Sequence, residues 1–220
     1  MKPARLSRNQ RTSRAHNSTE TRASILDAAE RLFAEAGLEG ARTDAIAHAA
    51  GVNKAMLYYY FKSKAGLYSA VLEANAREFH RRADQALSGS GSAGKLLLRY
   101  VGNHLDFIGS RPFYARLIHR LMMEGDRTLD RVIRTHSLPV YERLAGLVEK
   151  GMRSGEFRRM DVRHTIMSLN AMTVFYFTVA PIVRRISGVD VYDRSERARR
   201  KKEVLRFIRH ALFVHPEAID

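Results

Sequence analysis

The chain has 220 residues, of which 45% are hydrophobic, so it can bury the core of one large domain or of two smaller ones. It contains no cysteine, which excludes disulfide frameworks and thiolate metal sites. Its formal net charge of +15 suits nucleic acid, an anionic membrane surface or an acidic partner, and charge alone does not choose among these.

Residues 1–19 are basic, with almost nothing apolar between the cations. We predict a flexible basic arm here, because a charge run without apolar periodicity stays solvated. No apolar segment of the kind that a secretory signal needs follows, so we expect a cytoplasmic protein. A transit peptide is the alternative, since the stretch contains Arg and Ser and no acid, but it lacks an apolar face. The cations are Lys2, Arg5, Arg8, Arg11 and Arg14.

From Thr21 the spacing of apolar residues predicts a first helix, which Gly37 ends as a C′ glycine. Thr43, a good N-cap residue, and Asp44 begin a short second helix that runs through Ala50.

Two further helices are predicted after a tight turn at Gly51. Asn53 can cap a third helix through Phe61, and Ser63 can cap a fourth over residues 64–87. Two short helices joined by such a turn are a helix-turn-helix, which can place its second helix in the major groove of DNA.

On a helical wheel the third helix has two different faces. One is apolar and can dock on the preceding helices. The other carries an ammonium, a methyl group and two phenols, which can contact guanine, thymine and phosphate respectively. A small helical hairpin with a solvated face shows the same pattern, so the motif alone leaves that alternative open. The outward residues are Lys54, Ala55, Tyr58 and Tyr59.

The rest of the chain is predicted to be helical too, which makes the protein all-α with about nine helices. Residues 88–94 form a Gly- and Ser-rich linker, and no segment alternates with period two, so we expect no sheet. Residues 165–183 carry no charge and are long enough to suggest a membrane span, but polar residues interrupt them. A helix covered by a core and by a partner subunit gives the same pattern. The remaining helical patterns cover residues 95–109, 112–123, 127–152, 161–184 and 194–214.

The helix-turn-helix residues closely resemble the TetR/AcrR family of transcriptional regulators. The similarity extends from about Thr21 to Leu72 and is most specific from Ala50 to Lys64. It implies a homodimer whose subunits each have a three-helix DNA-binding domain and a larger helical domain. Most members repress transcription until a small molecule releases them from DNA.

The resemblance implies that residues 20–66 are the DNA-binding domain and residues 67–220 the dimerisation and ligand-sensing domain. Its implied partners are double-stranded DNA with a pseudo-palindromic operator, a second copy of the chain and an unknown small-molecule effector, with no membrane and no cofactor. Many relatives have Ser or Thr in place of Arg42, so the start of the second helix departs from the family pattern. The implied DNA contacts are Arg42, Thr43, Asn53, Lys54, Ala55, Tyr58, Tyr59 and Lys64.

Two further sets of residues follow from the C-terminal helical patterns. Aromatic residues and methionines at helical spacing usually form core, but bundle interiors also hold ligands. The candidate pocket residues are Phe107, Tyr114, Leu117, Met122, Met172, Phe175 and Tyr176. Apolar stripes on the last two helices predict a four-helix dimer interface. The candidate interface residues are Leu169, Thr173, Val204, Ile208 and Leu212.

Other functions have weaker support in the sequence. An all-helical enzyme would need clustered acid, base or nucleophilic groups, and we find none, so we expect neither catalysis nor a metal site. A nucleic-acid binder without sequence preference would suit the basic arm and the basic stretch Arg194–Lys202. Gly89 to Gly94 matches a dinucleotide-binding pattern, but a helix rather than a strand precedes it. His104, His119 and His164 could face a pocket, although we favour structural roles for them.

Overall fold

A computed structural model describes residues 8–124 and 127–218 of the chain. Over these residues the protein is all-α, as the sequence predicts, and its β-type pairing is an isolated bridge between Phe157 and Phe213. Two π-helical segments, π1 (Ile133–Ser137) and π2 (Ala171–Phe175), interrupt the α-helices. The α-helices are α1 Arg8–Gly40, α2 Thr43–Ala49, α3 Lys54–Phe61, α4 Lys64–Leu87, α5 Ala93–Gly109, α6 Pro112–Glu124, α7 Arg127–Val132, α8 Leu138–Arg153, α9 Val162–Asn170, α10 Tyr176–Thr178, α11 Ala180–Ser187 and α12 Arg194–Leu212.

The chain divides into two compact units, Met1–Glu73 and Ala74–Asp220. The division lies inside α4, whereas the sequence places it at residue 66, near the start of that helix. The first turns of α4 belong to the N-terminal unit because their apolar side chains are part of its core. Tyr68, for example, is buried and packs edge-to-face on Phe33 of α1, with ring centroids 5.0 Å apart.

Helix α1 begins at Arg8, well before the start predicted at Thr21. Residues 8–19 are therefore helical where the sequence predicts an arm without regular structure, and residues 1–7 lie outside the described residues. No Gly or Pro occurs between residues 4 and 36, so nothing in this stretch forces the helix to end. The predicted break at Gly37 is present, because its φ of 73° interrupts the helical backbone there.

Helix α5 is the main packing element of the C-terminal unit. Leu97, Val101, Phe107 and Ile108 are fully buried, and α6, α8, π2 and α12 all contact the helix. The first turn of α5 comes especially close to its neighbours. A Cβ atom at Gly94 would lie 2.2 Å from the Phe213 ring, so only glycine fits there.

Two long helices predicted from the sequence are each broken by a π segment. Residues 127–152 form α7, π1 and α8, and residues 161–184 form α9, π2, α10 and the start of α11. Apolar periodicity predicts which residues of a helix are buried. It does not predict a π turn, which contains one residue more than an α-helical turn. Because the π segments divide two of the predicted helices, the described ranges contain twelve α-helical segments.

The apolar stripe of α12 faces its own protomer. Val204 and Ile208, predicted to lie at a dimer interface, are buried where α12 packs on α5. Leu169 of α9 and Thr173 of π2 are buried as well, and Leu212 is half-buried. Four of the five predicted interface side chains are therefore buried within the protomer, which corrects the interface prediction for Val204, Ile208, Leu169 and Thr173. A stripe at helical spacing shows that a helix face is covered without showing what covers it.

The basic stretch Arg194–Lys202 is the first half of α12. Arg200 donates to the Met172 carbonyl at 2.9 Å and stacks on the Tyr176 ring at 4.4 Å. Lys201 pairs with Asp106 of α5 at 2.5 Å. Arg200 and Lys201 therefore hold α12 against its neighbours.

Within residues 8–124 and 127–218, no single helix combines the length and apolar character of a membrane span. The stretches Val162–Thr178 and Ala180–Ser187 have the length and apolar composition of a span only when they are combined, and a bend of 67° separates them.

Candidate DNA-binding surface and effector cavity

Helices α2 and α3 form the predicted helix-turn-helix. Gly51 adopts a φ of 67° in the turn between them, a conformation that suits glycine. Asn53 caps α3, since its side-chain oxygen accepts a hydrogen bond from the Met56 N–H at 3.0 Å. Helix α2 begins at Thr43 itself, one residue earlier than a Thr43 cap would allow: Arg42 occupies the N-cap position, without a side-chain hydrogen bond.

The two faces of α3 differ in exposure as the wheel predicts. Leu57 and Phe61 are buried in the N-terminal unit. On the opposite face Tyr58 and Tyr59 are 43% and 67% exposed, and Lys54 and Ala55 are exposed too. Large aromatic side chains left in water on a short helix are typical of a surface that contacts a partner.

Lys54 does not project freely from this surface. Its ammonium lies 2.9 Å from an Asp44 carboxylate oxygen of α2. The hydrogen bond from Lys54 lowers the pKa of the Asp44 carboxyl, and the same bond raises the pKa of the ammonium. Asp44 therefore fixes the direction of the Lys54 side chain.

Contacts around the ends of α3 hold the helix on the rest of the unit. The Tyr60 and Ser18 hydroxyl oxygens are 3.0 Å apart, which ties α3 to α1. Lys64, at the start of α4, donates to the Glu39 carbonyl at 3.0 Å. The Ser63 hydroxyl accepts from the Gly66 N–H at 2.9 Å, so Ser63 caps α4 as predicted.

The C-terminal unit contains a cavity of about 590 Å³. Its wall is built from helices α4 to α10 and both π segments. The lining side chains are mainly aliphatic and aromatic, and four large apolar ones at the rim are exposed to solvent. The rim residues are Met122, Ile133, Met167 and Phe175.

Polar side chains are a minority of the cavity lining; besides three tyrosines they are His104, His119, Ser137, Asn170, Thr173 and Thr178. His104 of α5 is buried, and its Nδ1 lies 3.3 Å from the Thr173 hydroxyl oxygen. Burial lowers the pKa of His104 to about 4, so the imidazole is neutral at neutral pH. Tyr100 lies one turn earlier on the same helix, with its ring centroid 5.7 Å from that of His104, and burial raises the pKa of its phenol.

Comparison with known proteins decides the family. Residues 25–71 match the family described as "Bacterial regulatory proteins, tetR family". Residues 95–208 match the family described as "Tetracyclin repressor-like, C-terminal domain". The chain belongs to the TetR family. It is a transcriptional regulator with a DNA-binding helix-turn-helix.

Two relatives with assigned names are similar over most of the chain. The HTH-type transcriptional regulator RutR of Escherichia coli K12 is 28% identical over 169 residues, covering 77% of this chain and 79% of RutR. The HTH-type transcriptional repressor NicS of Pseudomonas putida is 25% identical over 188 residues, covering 84% of this chain and 89% of NicS.

Solved structures share the TetR-family fold at lower sequence identity. A transcriptional regulator from Saccharomonospora viridis in complex with choline has a TM-score of 0.69 at 21% identity, covering 90% of this chain and all of that one. FadR from Bacillus subtilis in complex with stearoyl-CoA has a TM-score of 0.64 at 20% identity, covering 83% and 97%.

The cavity includes only part of the residue set predicted for the pocket of this TetR-family chain. Tyr114, Met122 and Phe175 line it. Phe107 and Leu117 are fully buried in the core and do not reach the wall.

The other two predicted pocket residues also lie away from the cavity. Met172 borders a separate groove between α9 and α12, and Tyr176 packs on Arg200 and donates to Glu196 at 3.0 Å. The π turn rotates both side chains off the cavity side, which periodicity could not predict.

The predicted pocket set omits several residues that build the wall, among them His104 and His119, for which the sequence favours structural roles. Tyr100 and His104 are four residues apart and so share one face of α5, a signal that could have placed both in one site. Ala76 and Phe79 on α4 also line the cavity. They carried no local signal, because apolar residues on a long amphipathic helix usually form core.

Proposed function

We propose that this TetR-family regulator is a repressor that binds a pseudo-palindromic operator as a homodimer and is released by a small molecule in the cavity. Acting on operator DNA, it would work in the cytoplasm. The observation that carries the proposal is the exposed, aromatic outer face of α3 in the helix-turn-helix, together with a cavity of about 590 Å³ in the other unit.

The DNA-contacting face extends beyond α3. Lys54 and Ala55 have the chemistry to touch base edges, while hydroxyl groups and the N–H groups at a helix start suit phosphate. The proposed contacts are Arg42, Thr43, Asn53, Lys54, Ala55, Tyr58, Tyr59 and Lys64.

Dimerisation is proposed through the outer faces of α9 and α12. A groove of about 280 Å³ runs between them, lined by Met172, Ala211 and Leu212 among others. Phe207 lines the same groove and is 61% exposed in the protomer, so it is available to a partner. A second copy of the chain would cover it through an isologous twofold contact.

The repressor and effector roles draw on the relatives. NicS is named a repressor, and the similar structures hold choline and stearoyl-CoA. The cavity volume lies in the usual range for small-molecule sites, about 300–1,000 Å³.

Footprinting on the DNA that flanks the gene tests the proposal. We expect a protected inverted repeat whose half-sites lie about 34–36 Å apart, or a multiple of that distance. Protection should disappear when an effector is added. The matched control is Lys202→Ala, which removes an exposed lysine of α12 and should leave the footprint intact. Absence of any protected repeat would contradict operator binding.

A further inference from the structure

The wall of the cavity carries no ionic side chain. Among the residues that line it in the described ranges there is no Asp, Glu, Lys or Arg. A charged ligand would therefore lose its hydration without gaining a counter-ion, and burial of an unpaired charge is strongly unfavourable. The wall instead offers aliphatic and aromatic surface, which favours an uncharged, largely apolar molecule.

His104 gives this largely apolar wall a buried, directional hydrogen-bonding group, whereas His119 and Asn170 of the lining are exposed to solvent. The Thr173 hydroxyl lies 3.1 Å from the Leu169 carbonyl and 2.9 Å from the Asn170 carbonyl, so its only proton points to one of these acceptors. When the proton points to either carbonyl, the Thr173 oxygen is free to accept from His104, and we assign the imidazole proton to Nδ1 on this ground. In the neutral ring Nε2 is consequently an acceptor with a free lone pair.

No residue in the described ranges forms a hydrogen bond with Nε2 of His104 or with the Tyr100 hydroxyl. Both side chains line the cavity, with their ring centroids 5.7 Å apart. Because Nε2 faces the cavity without a protein donor, a ligand that supplies a donor gains more there than one that does not. A hydroxyl group matches this pair, because it can donate to Nε2 and accept from Tyr100.

The two π segments contribute to the same wall. Ile133 and Ser137 of π1 and Thr173 and Phe175 of π2 line the cavity. Such wide turns occur often at functional sites, since they turn side chains away from the regular helical register. Thr173, whose hydroxyl contacts His104, lies in π2 and is therefore one of the residues outside the regular helical register.

We propose that the effector of this regulator is an uncharged, largely apolar molecule bearing a hydrogen-bond donor, such as a hydroxyl group, that binds Nε2 of His104. The inference rests on the proposed function in taking the cavity as the effector site.

Four probes with one alkyl chain test this ligand class: 1-octanol, octyl methyl ether, octanoate and octyltrimethylammonium. Calorimetry on the full chain without DNA should show that 1-octanol binds. The ether cannot donate and should bind about 10-fold more weakly, and the two ions at least about 100-fold more weakly. Equal or tighter binding of either ion, or binding of none of the four, would overturn the proposal.

Variants at His104 locate the contact. His104→Phe keeps a ring but removes the acceptor, so 1-octanol should bind no better than the ether. His104→Gln places an oxygen near the position of Nε2 and should restore the preference. His210→Phe, at an exposed histidine of α12, is the control and should change nothing. A preference for the alcohol that survives in His104→Phe would overturn the assignment, and circular dichroism checks that each variant folds.

A parallel assay of operator release separates the two proposals. A probe that binds with the expected preference but leaves the protein on DNA contradicts effector-driven release and leaves the ligand class standing. Release by an ion that outcompetes the alcohol supports the proposed function and overturns the ligand class.

Discussion

Lys54 is the residue of the DNA-binding surface with the most specific expected role. If its ammonium reads a base, Lys54→Ala should lower operator affinity by about 1–3 kcal/mol and relax specificity at one position. Fluorescence anisotropy with single-base operator variants measures both effects. Lys64→Ala should instead weaken binding to all sequences and reduce the salt slope by about 0.9. If Lys54→Ala weakens binding without changing specificity, Lys54 contacts phosphate and not a base.

Asp44 adds a prediction that the sequence did not offer. Asp44→Asn removes the charged acceptor 2.9 Å from Lys54 and one negative charge from the proposed DNA-contacting surface. Binding to DNA in general should strengthen, while discrimination at the base pair read by Lys54 should fall. Asp27→Asn, which removes an exposed carboxylate of α1, is the matched control. Stronger binding with full discrimination would show that Asp44 does not orient Lys54.

At the scale of one element, the cap of α3 should control the stability of the recognition helix. Asn53→Ala leaves the Met56 N–H without its 3.0 Å partner and should lower the free energy of unfolding by about 1 kcal/mol. Asn53→Asp keeps an acceptor and should retain most of that stability. Thermal unfolding followed by circular dichroism compares the two, and equal losses would argue against capping.

The helices differ in how well the sequence predicts them, for reasons that particular residues show. The bounds of α3 and α4 are clear because Asn53 and Ser63 are cap residues with local partners. The burial of Val204 could be predicted, but its partner could not, since helical spacing does not distinguish α5 from a second subunit. The spacing of Thr173 suggested a covered position but not its contact with His104, because the π turn that places it depends on tertiary packing.

For the whole molecule, His104 predicts a pH dependence of stability. Its pKa is about 4 when folded, against 6.5 as a reference, so the unfolded chain binds more protons between these values. Its stabilising contribution is complete above pH 6.5 and falls by about 3 kcal/mol as the pH drops to 4. Denaturant unfolding at several pH values measures this. His104→Gln should flatten the dependence, while His210→Gln should not.

The dimer prediction also needs residues that are exposed in the protomer. Phe207→Glu should give a folded monomer that loses specific operator binding, because it places a carboxylate in the proposed interface. Ile208→Asp, one residue later, buries a charge in the protomer and should unfold the C-terminal unit. Analytical ultracentrifugation distinguishes these outcomes. Met123→Glu alters another exposed apolar residue, on α6, and should remain dimeric.

The π segments imply that chain length, as much as side-chain identity, determines what this protein can hold. A π turn contains one residue more than an α turn, so deleting one residue within Ala171–Phe175 leaves a continuous α-helix. The fold can absorb that deletion, while Thr173 and its neighbours change register. Relatives one residue shorter at this point would keep the same architecture with a differently lined interior, so a single-codon deletion could redirect effector choice without a single substitution.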